Sequence, residues 1–384
     1  MLKQYELKLP GAVYSGESAL DYIREICKGR YKKSLIFTDR GVSGAGLIDR
    51  PLKLLDEAGV EYHILEDLPS EPSCDEAQSV IDKGRGFGPD IIIAIGGGSV
   101  MDIAKLASLL IYSEHTVREL LESPEIAKKT VASIMIPTTA GTGSEATPNS
   151  IVAVPEKDLK VGIVNDEMIA DFVILDGEMI KKLPRRIAAS TGLDALCHAI
   201  ECYTSKKANP FSDTFALEAL ELIINNIERA CDDPDASDAK NSMMIAAFYA
   251  GIAITASGTT AVHALSYPLG GKYHIAHGVA NAMLLMPVMR FNESYCRERL
   301  GLIYDRICKS GAAVSEKEKS AWVLDRIEGI VEHLDIPKDL KEFGVGREDL
   351  DDLAAAGMDV KRLLVNNMRE LSISDAKKIY LEIM

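Results

Sequence analysis

The sequence predicts an α/β domain built on a parallel sheet over residues 1–184, followed by an all-α domain over residues 185–384. Two observations carry this. From about residue 8 to 184, short β-branched or apolar runs alternate with amphipathic stretches, the pattern of repeated βαβ units. After KKLPRR (181–186) such runs nearly vanish, and long segments with apolar residues at helical spacing and Asp, Ser or Pro starts continue to the C-terminus. A chain of 384 residues, 47% apolar and 26% charged, is long enough for two domains with packed cores.

The predicted strands are SLIFTD (34–39), EYHILE (61–66), DIIIAIGG (90–97), SIMIPTT (133–139) and DFVILD (171–176), each short and rich in β-branched or aromatic residues. Helices are predicted over 17–28, 46–58, 75–86 and 100–111. In the second of these, Ile48, Leu52 and Leu55 share a face and Gly59 supplies the stop. In the second half, MMIAAFYAGIAITASG (243–258) is rich in Ala and Gly, so neighbouring backbones can approach it closely. It is predicted as a buried central helix, too short and interrupted for a membrane span. DDPDASD (232–238) is predicted as a solvated loop between helices, and no internal repeat or low-complexity tract is present.

A formal net charge of −15 with no basic stripe argues against nucleic acid and anionic membrane surfaces as partners. The start, MLKQYELKLPG, lacks the apolar core of a signal peptide, and no apolar run is long enough to span a bilayer, so a cytoplasmic protein is expected. The seven cysteines (Cys27, Cys74, Cys197, Cys202, Cys231, Cys296, Cys308) are scattered and include no C-x-x-C pair. They are expected as buried thiols, not as a disulfide framework or zinc knot.

IIIAIGGGSVMDIAK (91–105) reads as a buried strand, three glycines, and a helix opened by Ser99 and Asp102. Glycines let backbone approach a pyrophosphate, and a helix start offers amide donors and a favourable dipole. The stretch is neither a G-x-G-x-x-G fingerprint nor a P-loop, and a tight turn without ligand would look the same. IPTTAGTGSEAT (136–147) follows another strand with the hydroxyls of Thr138, Thr139, Thr142 and Ser144. It is either a second set of donors or a Ser/Thr-rich connection. Together the two loops point to one dinucleotide lying across the carboxyl edge of the sheet. Asp39, at the end of its strand, would accept hydrogen bonds from a ribose diol and repel a 2′-phosphate, favouring NAD over NADP; alternatively it caps the following turn.

In STGLDALCHAIECYTS (190–205), Asp194 and His198 stand four apart on one side of a helix. They could share an ion or form an ordinary hydrogen-bonded pair. HALSYPLGGKYHIAHG (263–278) holds three of the seven histidines. His263 is expected to end or follow a helical segment, Pro268 to Gly271 to form a bend, and His277 to precede the apolar run VANAMLLM. Two imidazoles from this stretch with Asp194 and His198 would make a three-His, one-carboxylate set, suited to Fe²⁺ or Zn²⁺ and too nitrogen-rich for Mg²⁺ or Ca²⁺. The histidines could equally be satisfied core residues.

GGGSVMDIAK, TTAGTGSEAT, GLDALCHAIECYTS and HALSYPLGGKYHIAHGVAN, in this order and at these separations, closely resemble the iron-containing (group III) alcohol dehydrogenases. The resemblance covers essentially the whole chain, and LLVNNMRELSISDAKKIY (363–380) is similar to the family's C-terminal helix pattern. It implies Asp194, His198, His263 and His277 as metal ligands. It implies dinucleotide contacts at Asp39, Gly97, Gly98, Ser99, Asp102, Thr138, Thr139, Thr142 and Lys160, with Lys157 close to the last. Fe²⁺ is the implied metal, with Zn²⁺ the alternative its donor set admits, and NAD the implied cofactor, with NADP the alternative. The implied reaction is hydride transfer between nicotinamide and a small primary alcohol or aldehyde, with the metal as Lewis acid and a cleft between the domains excluding water. A homodimer or larger oligomer is implied, with KQYELKLPGAVYSG (3–16) as the strand region that joins it.

Two features depart from the family pattern. Many members carry a histidine four residues after the first ligand of the loop, where this chain has Tyr267; proton exchange then falls to Tyr267, His274, the cofactor ribose or water. An Asn-Pro pair on the adenine side is replaced by Glu71-Pro72. The loop is also similar to that of the 4-hydroxybutyrate dehydrogenases, whose substrate carboxylate calls for a cationic group. A non-redox reading, like the related dehydroquinate synthases, needs several basic residues beside the metal, and the loop offers Lys272 alone. The non-enzymatic alternative is an NAD-binding or metal-stabilised structural protein.

Overall fold

The computed structural model describes residues 4–69, 71–157, 159–309 and 314–384. The chain divides into two compact units, Lys8–Leu183 and Pro184–Met384, with residues 4–7 clustering with the second.

The first unit contains strands β1 (Ala12–Ser15), β2 (Lys33–Phe37), β3 (Glu61–Leu65), β4 (Ile91–Gly96), β5 (Ala132–Pro137), β6 (Asn149–Val154), β7 (Leu159–Val164) and β8 (Phe172–Leu175). Six of them form one sheet in the order β1-β8-β5-β4-β2-β3, and every pair is parallel. All five strands expected from the apolar runs are present, each slightly shorter than its run. Continuous burial of Ile91 to Ile95 explains why β4 is an unbroken Ile-rich run: a parallel strand covered on both faces has no solvent side to mark with polar residues. β1 falls within the strand region 3–16 that the resemblance implies, whereas the antiparallel hairpin β6–β7 is not among the expected strands. β1 has only four residues of alternating half-burial at the sheet edge.

The helices of this unit are α1 (Tyr22–Cys27), α2 (Arg40–Gly44), α3 (Asp49–Ala58), α4 (Cys74–Arg85), α5 (Gly98–Leu110) and α6 (Val117–Glu122). The helix expected over 17–28 is a 3₁₀ turn, Ala19–Asp21, followed by α1 alone. One core packs Ile36, Ile93, Ile95, Ile134 and Ile136 of the sheet against Leu20, Ile23, Leu54 and Leu55 from the α1 and α3 side. β2 is followed in sequence by its neighbour β3, and the chain then returns to place β4 on the other side of β2. The order of connection therefore reverses between β2 and β4, which is where an open α/β sheet leaves a crevice at its carboxyl edge.

The second unit is helical among its described residues: α7 (Arg185–Tyr203), α8 (Pro210–Asp232), α9 (Ser237–Ser257), α10 (Ala261–Tyr273), α11 (His277–Cys308), α12 (Glu316–His333), α13 (Leu350–Asp359), α14 (Lys361–Leu364) and α15 (Ile373–Leu381). The acidic stretch forms the end of α8, the connection and the start of α9, and α9 is the expected buried helix. From Ala189 to Tyr203 α7 is buried on most of its circumference, as befits a helix covered by α8, α9 and α11. No single helix among the described residues is long and apolar enough to cross a membrane.

One expectation is corrected here. Pro268 to Gly271 do not bend the chain; α10 runs through them, and His263 lies in its first turn. A helix-interior proline removes one backbone bond. The loss is tolerated because α10 is buried along most of its length; Tyr380, fully buried on α15, also ties the helix in place by donating its hydroxyl to the Leu265 carbonyl at 2.5 Å. The reversal comes instead after Tyr273, where His274 adopts a left-handed φ of 54°. The thiols also differ in part from expectation: Cys231 and Cys308 are half-buried, and the other five are buried.

Candidate functional site

Residues 194, 198 and 201 recur at helical spacing, so α7 presents Asp194, His198 and Glu201 on one buried face. α10 contributes His263 and the first residue of α11 is His277. The glycine after His277 is what lets α11 begin there: a Cβ on Gly278 would stand 2.3 Å from the Ser190 carbonyl oxygen of α7.

One ligand atom from each of Asp194, His198, His263 and His277 lies within 4.8 Å of the other three. Asp194 Oδ1 is 3.9 Å from His198 Nε2, 3.9 Å from His263 Nε2 and 3.8 Å from His277 Nε2. Donors bound tetrahedrally at about 2.1 Å from one centre would stand roughly 3.4 Å apart, so a small inward shift closes the set. The side chains of Asp194, His198 and His263 are at most 7% exposed, whereas His277 is 32% exposed and marks the open side.

Asn281, one turn after His277, points its carboxamide nitrogen into this set, 2.7 Å from Asp194 Oδ1, 3.1 Å from His263 Nε2 and 3.2 Å from His277 Nε2. Its buried oxygen has no partner among the described residues. A donor ringed by acceptors marks a centre that favours positive charge, and three imidazole nitrogens with one carboxylate are the donor set of a transition metal.

Glu201 orients one of those imidazoles. Its Oε2 accepts a hydrogen bond from the His263 Nδ1–H, and its Oε1 accepts from Thr260 N (3.1 Å), Thr260 Oγ1 (2.6 Å) and Val262 N (2.8 Å). A proton on Nδ1 leaves the Nε2 lone pair facing the centre. Burial alone would raise the Glu201 carboxyl; the His263 charge and these hydrogen bonds outweigh it and hold the group below its ordinary range. Asp194 is likewise lowered: burial opposes ionisation, but His198, His277 and His263 prevail.

Tyr267, one turn after His263 on α10, has its ring centroid 6.1 Å from that of His277. Burial raises its phenol, an effect that the positive charge of neighbouring Arg362 partly offsets. His274, by contrast, is exposed at the left-handed C-cap of α10 and does not belong to the four-ligand cluster.

In the α/β unit, Asp39 follows β2, the glycines follow β4 and the threonines follow β5, so all three groups stand at carboxyl ends of adjacent strands. Asp39 caps α2, with Oδ1 accepting from Gly41 N at 2.8 Å and Val42 N at 2.9 Å. Gly97 is the N-cap of α5, and Gly98 opens it where a Cβ would meet Thr142 Cγ2 at 2.8 Å. The glycine loop and the threonine loop therefore touch. Thr138 is buried, with its amide donating to the Gly96 carbonyl, while Thr139 and Thr142 are half-buried.

Asp102 is largely committed to holding this framework together. Its Oδ1 accepts from Ser144 Oγ at 2.5 Å and pairs with Lys105 Nζ at 3.0 Å, and its Oδ2 accepts from Ile151 N at 2.9 Å. Lys105, 1% exposed, also reaches Ser144, Thr147 and Asn149. Lys160 pairs with Glu71 at 2.7 Å, and the Glu71 amide donates to Ser99 Oγ at 3.2 Å. The Lys157 side chain lies outside the described part of the chain.

The model of the iron-containing alcohol dehydrogenases matches residues 10–177, and that of the family's C-terminal region matches residues 188–384. The chain belongs to the iron-containing alcohol dehydrogenase family. It is 34% identical to long-chain-alcohol dehydrogenase 1 of Geobacillus thermodenitrificans over 97% of this chain and 94% of the relative. It is 36% identical to the 4-hydroxybutyrate dehydrogenase of Clostridium kluyveri over 81% and 83%. Among solved structures, a 1,3-propanediol oxidoreductase superposes with a TM-score of 0.93 at 28% identity, covering 100% of both chains. The sulfoacetaldehyde reductase of Bifidobacterium kashiwanohense in complex with NAD⁺ superposes with a TM-score of 0.89 at 26% identity, covering 99% of both.

As a family member the protein is a metal-dependent oxidoreductase that uses a nicotinamide cofactor on alcohols and aldehydes. Glu201, Asn281 and Gly278 were not singled out from the sequence, although each carried a signal. Glu201 is three residues after His198 on the same helix, Asn281 four after His277, and Gly278 directly follows a ligand. Arg362 carried none, because only tertiary packing brings α14 to α10.

Proposed function

We propose that this enzyme interconverts small primary alcohols and aldehydes, with Asp194, His198, His263 and His277 holding ferrous iron and NAD lying along the loops after β2, β4 and β5. The observation that carries this reading is the convergence of the four ligand atoms within 4.8 Å of one another. Iron bound there supplies Lewis acidity to the substrate oxygen, and zinc would suit the same donors. The chain's own residues supply position. Glu201 fixes the His263 tautomer, and helices α7, α10 and α11 hold the donors on packed elements instead of loops. Tyr267 keeps its phenol proton because burial raises its pKa, so near neutral pH it acts as a hydrogen-bond donor beside His277. Tyr267 is therefore a better candidate than His274 for exchanging the proton.

Gly97, Gly98 and Ser99 would take the pyrophosphate, and Thr138, Thr139, Thr142 and Lys160 the nicotinamide half. Both hydrogen bonds that Asp39 makes in capping α2 use Oδ1, which leaves Oδ2 for a ribose diol and favours NAD over NADP. Asp102 would serve the cofactor by tying α5 to the Ser144 loop. In this reading residues 1–184 bind the dinucleotide and residues 185–384 the metal and substrate.

We also propose a cytoplasmic homodimer or larger oligomer. Seven unpaired thiols suit a reducing compartment, and β1 ends the sheet with Val13 exposed, an edge that a second copy can extend. His277→Ala tests the central assignment. After anaerobic loading, iron content measured by mass spectrometry should fall, and NADH oxidation with a short aldehyde should drop about 10³-fold or more. Iron and activity both retained at saturating substrate would refute it.

A further inference from the structure

The open side of the ligand set carries an arginine that no acidic side chain among the described residues pairs with. α14 packs against α10 and brings the Arg362 guanidinium beside the Tyr267 phenol, one turn from His263 and 6.1 Å ring to ring from half-exposed His277. Its charge is also felt at His263. Arg362 is exposed, and among the described residues no carboxylate lies within ion-pairing distance of it. Three arginines on the long helices α11 and α12 are paired instead: Arg299 holds Asp213, Arg306 holds Glu221 and Arg326 holds Glu228. The acids felt at Tyr267 are already committed, Asp194 to the ligand set and Asn281, and Glu201 to Thr260, Val262 and His263. In a chain of net charge −15, a guanidinium left without a carboxylate at the mouth of a metal site is a receptor for an anion.

We propose that Arg362 receives the anionic end of the substrate, so that the enzyme acts on short aldehydes and alcohols bearing a carboxylate or sulfonate at the far end from the reacting carbon. This rests on the dehydrogenase reading above. A planar guanidinium gives two parallel N–H donors to such a group, a geometry an ammonium cannot reproduce. With Arg362 holding one end, the carbonyl end of a short substrate lies on the His277 side. The hydride then passes from NADH to the carbonyl carbon and a proton to its oxygen, leaving NAD⁺ and the ω-hydroxy acid. Arg362 itself neither donates nor accepts in that step; it positions the substrate and sets specificity.

The test compares 4-oxobutanoate, sulfoacetaldehyde and the neutral butanal with the iron-loaded enzyme and NADH. Wild type should favour at least one of the anionic aldehydes over butanal by about 100-fold in kcat/KM. In Arg362→Ala that ratio should collapse, chiefly through KM of the anionic substrate, and Arg362→Lys should recover part of it. A binding readout accompanies the kinetics: the calorimetric Kd of 4-hydroxybutanoate for the enzyme–NADH complex should rise at least tenfold in Arg362→Ala, while that of 1-butanol stays near its wild-type value. Thermal melting confirms that the variants fold. A wild type that prefers butanal, or a ratio untouched by Arg362→Ala, overturns the assignment of Arg362 and leaves the dehydrogenase reading standing. Failure of all three aldehydes to oxidise NADH overturns both.

Discussion

The two units hold their functional groups in opposite ways. In the α/β unit the positions proposed for the cofactor rely on glycines and backbone amides at the carboxyl ends of strands, and most side chains there are already engaged with one another. Asp102, Ser144 and Lys105 form a closed buried network, and Asp39 caps α2. In the helical unit the functional groups are side chains projected from three long helices into one point, with lone pairs facing inward. A site made of backbone is sensitive to any added Cβ and tolerant of many side-chain changes. A site made of convergent side chains depends on each of them and on the spacing of the helices that carry them.

The sharpest test of that contrast is one methyl group in each unit. Gly278→Ala would drive a Cβ into the Ser190 carbonyl, which cannot rotate away, so α11 must shift and carry His277 with it. We expect iron affinity measured by chelator competition to fall by about 100-fold or more, and stability by on the order of 2 kcal/mol. Glu201→Gln should come next. It keeps the shape but removes the charge that holds the His263 Nδ1 proton, and metal affinity should fall about 10- to 100-fold, visible also as an altered ligand-field spectrum of the cobalt-substituted enzyme. Gly98→Ala meets only the Thr142 side chain, so its effect should be smaller and confined to the nucleotide, roughly a tenfold rise in KM for NAD with metal content unchanged. If Gly98→Ala lowered iron content as much as Gly278→Ala, the separation of the two sites would be wrong.

A last effect touches stability and neither site: Glu145 is buried beside the threonine loop, where burial lifts its carboxyl from 4.5 to about 7 against the weaker pull of its backbone hydrogen bond and of Lys105. The folded state then binds a proton more tightly than the unfolded one. Between pH 4.5 and about 7 the unfolded chain has already lost that proton, so stability falls as pH rises through this window and levels off above it. Glu145→Gln should remove this slope and gain on the order of 2 kcal/mol in denaturant unfolding above pH 7. A wild-type profile that is flat from pH 5 to 7, matching the variant, would show that the carboxyl is not held protonated.

The parallel strands were legible because burial on both faces writes itself as an Ile-rich run, as in IIIAIG. β1, four half-buried residues at the sheet edge, was legible only through the resemblance, and the β6–β7 hairpin was not legible, although IVAV and VGIV are apolar runs, because it stands outside the parallel sheet as an antiparallel pair. Asp194 and His198 could be paired from their spacing alone, whereas joining them to His263 and His277 needed either the resemblance or the packing of α7 on α10 and α11. The proline in α10 misled because its helix is held from outside. Propensity describes an isolated segment, and α10 is supported along its length by α11, α13 and α14. Arg362 was invisible for a related reason: its neighbours Tyr267 and His263 lie about a hundred residues earlier in the chain.

The bond from Tyr380 to the Leu265 carbonyl ties the helix that carries His263 to the last helix of the chain. Asp194, His198, His263 and His277 all lie about a hundred residues or more before that tie in the sequence. A chain cut before residue 380 would keep all four yet lose the contact that braces the helix under one of them.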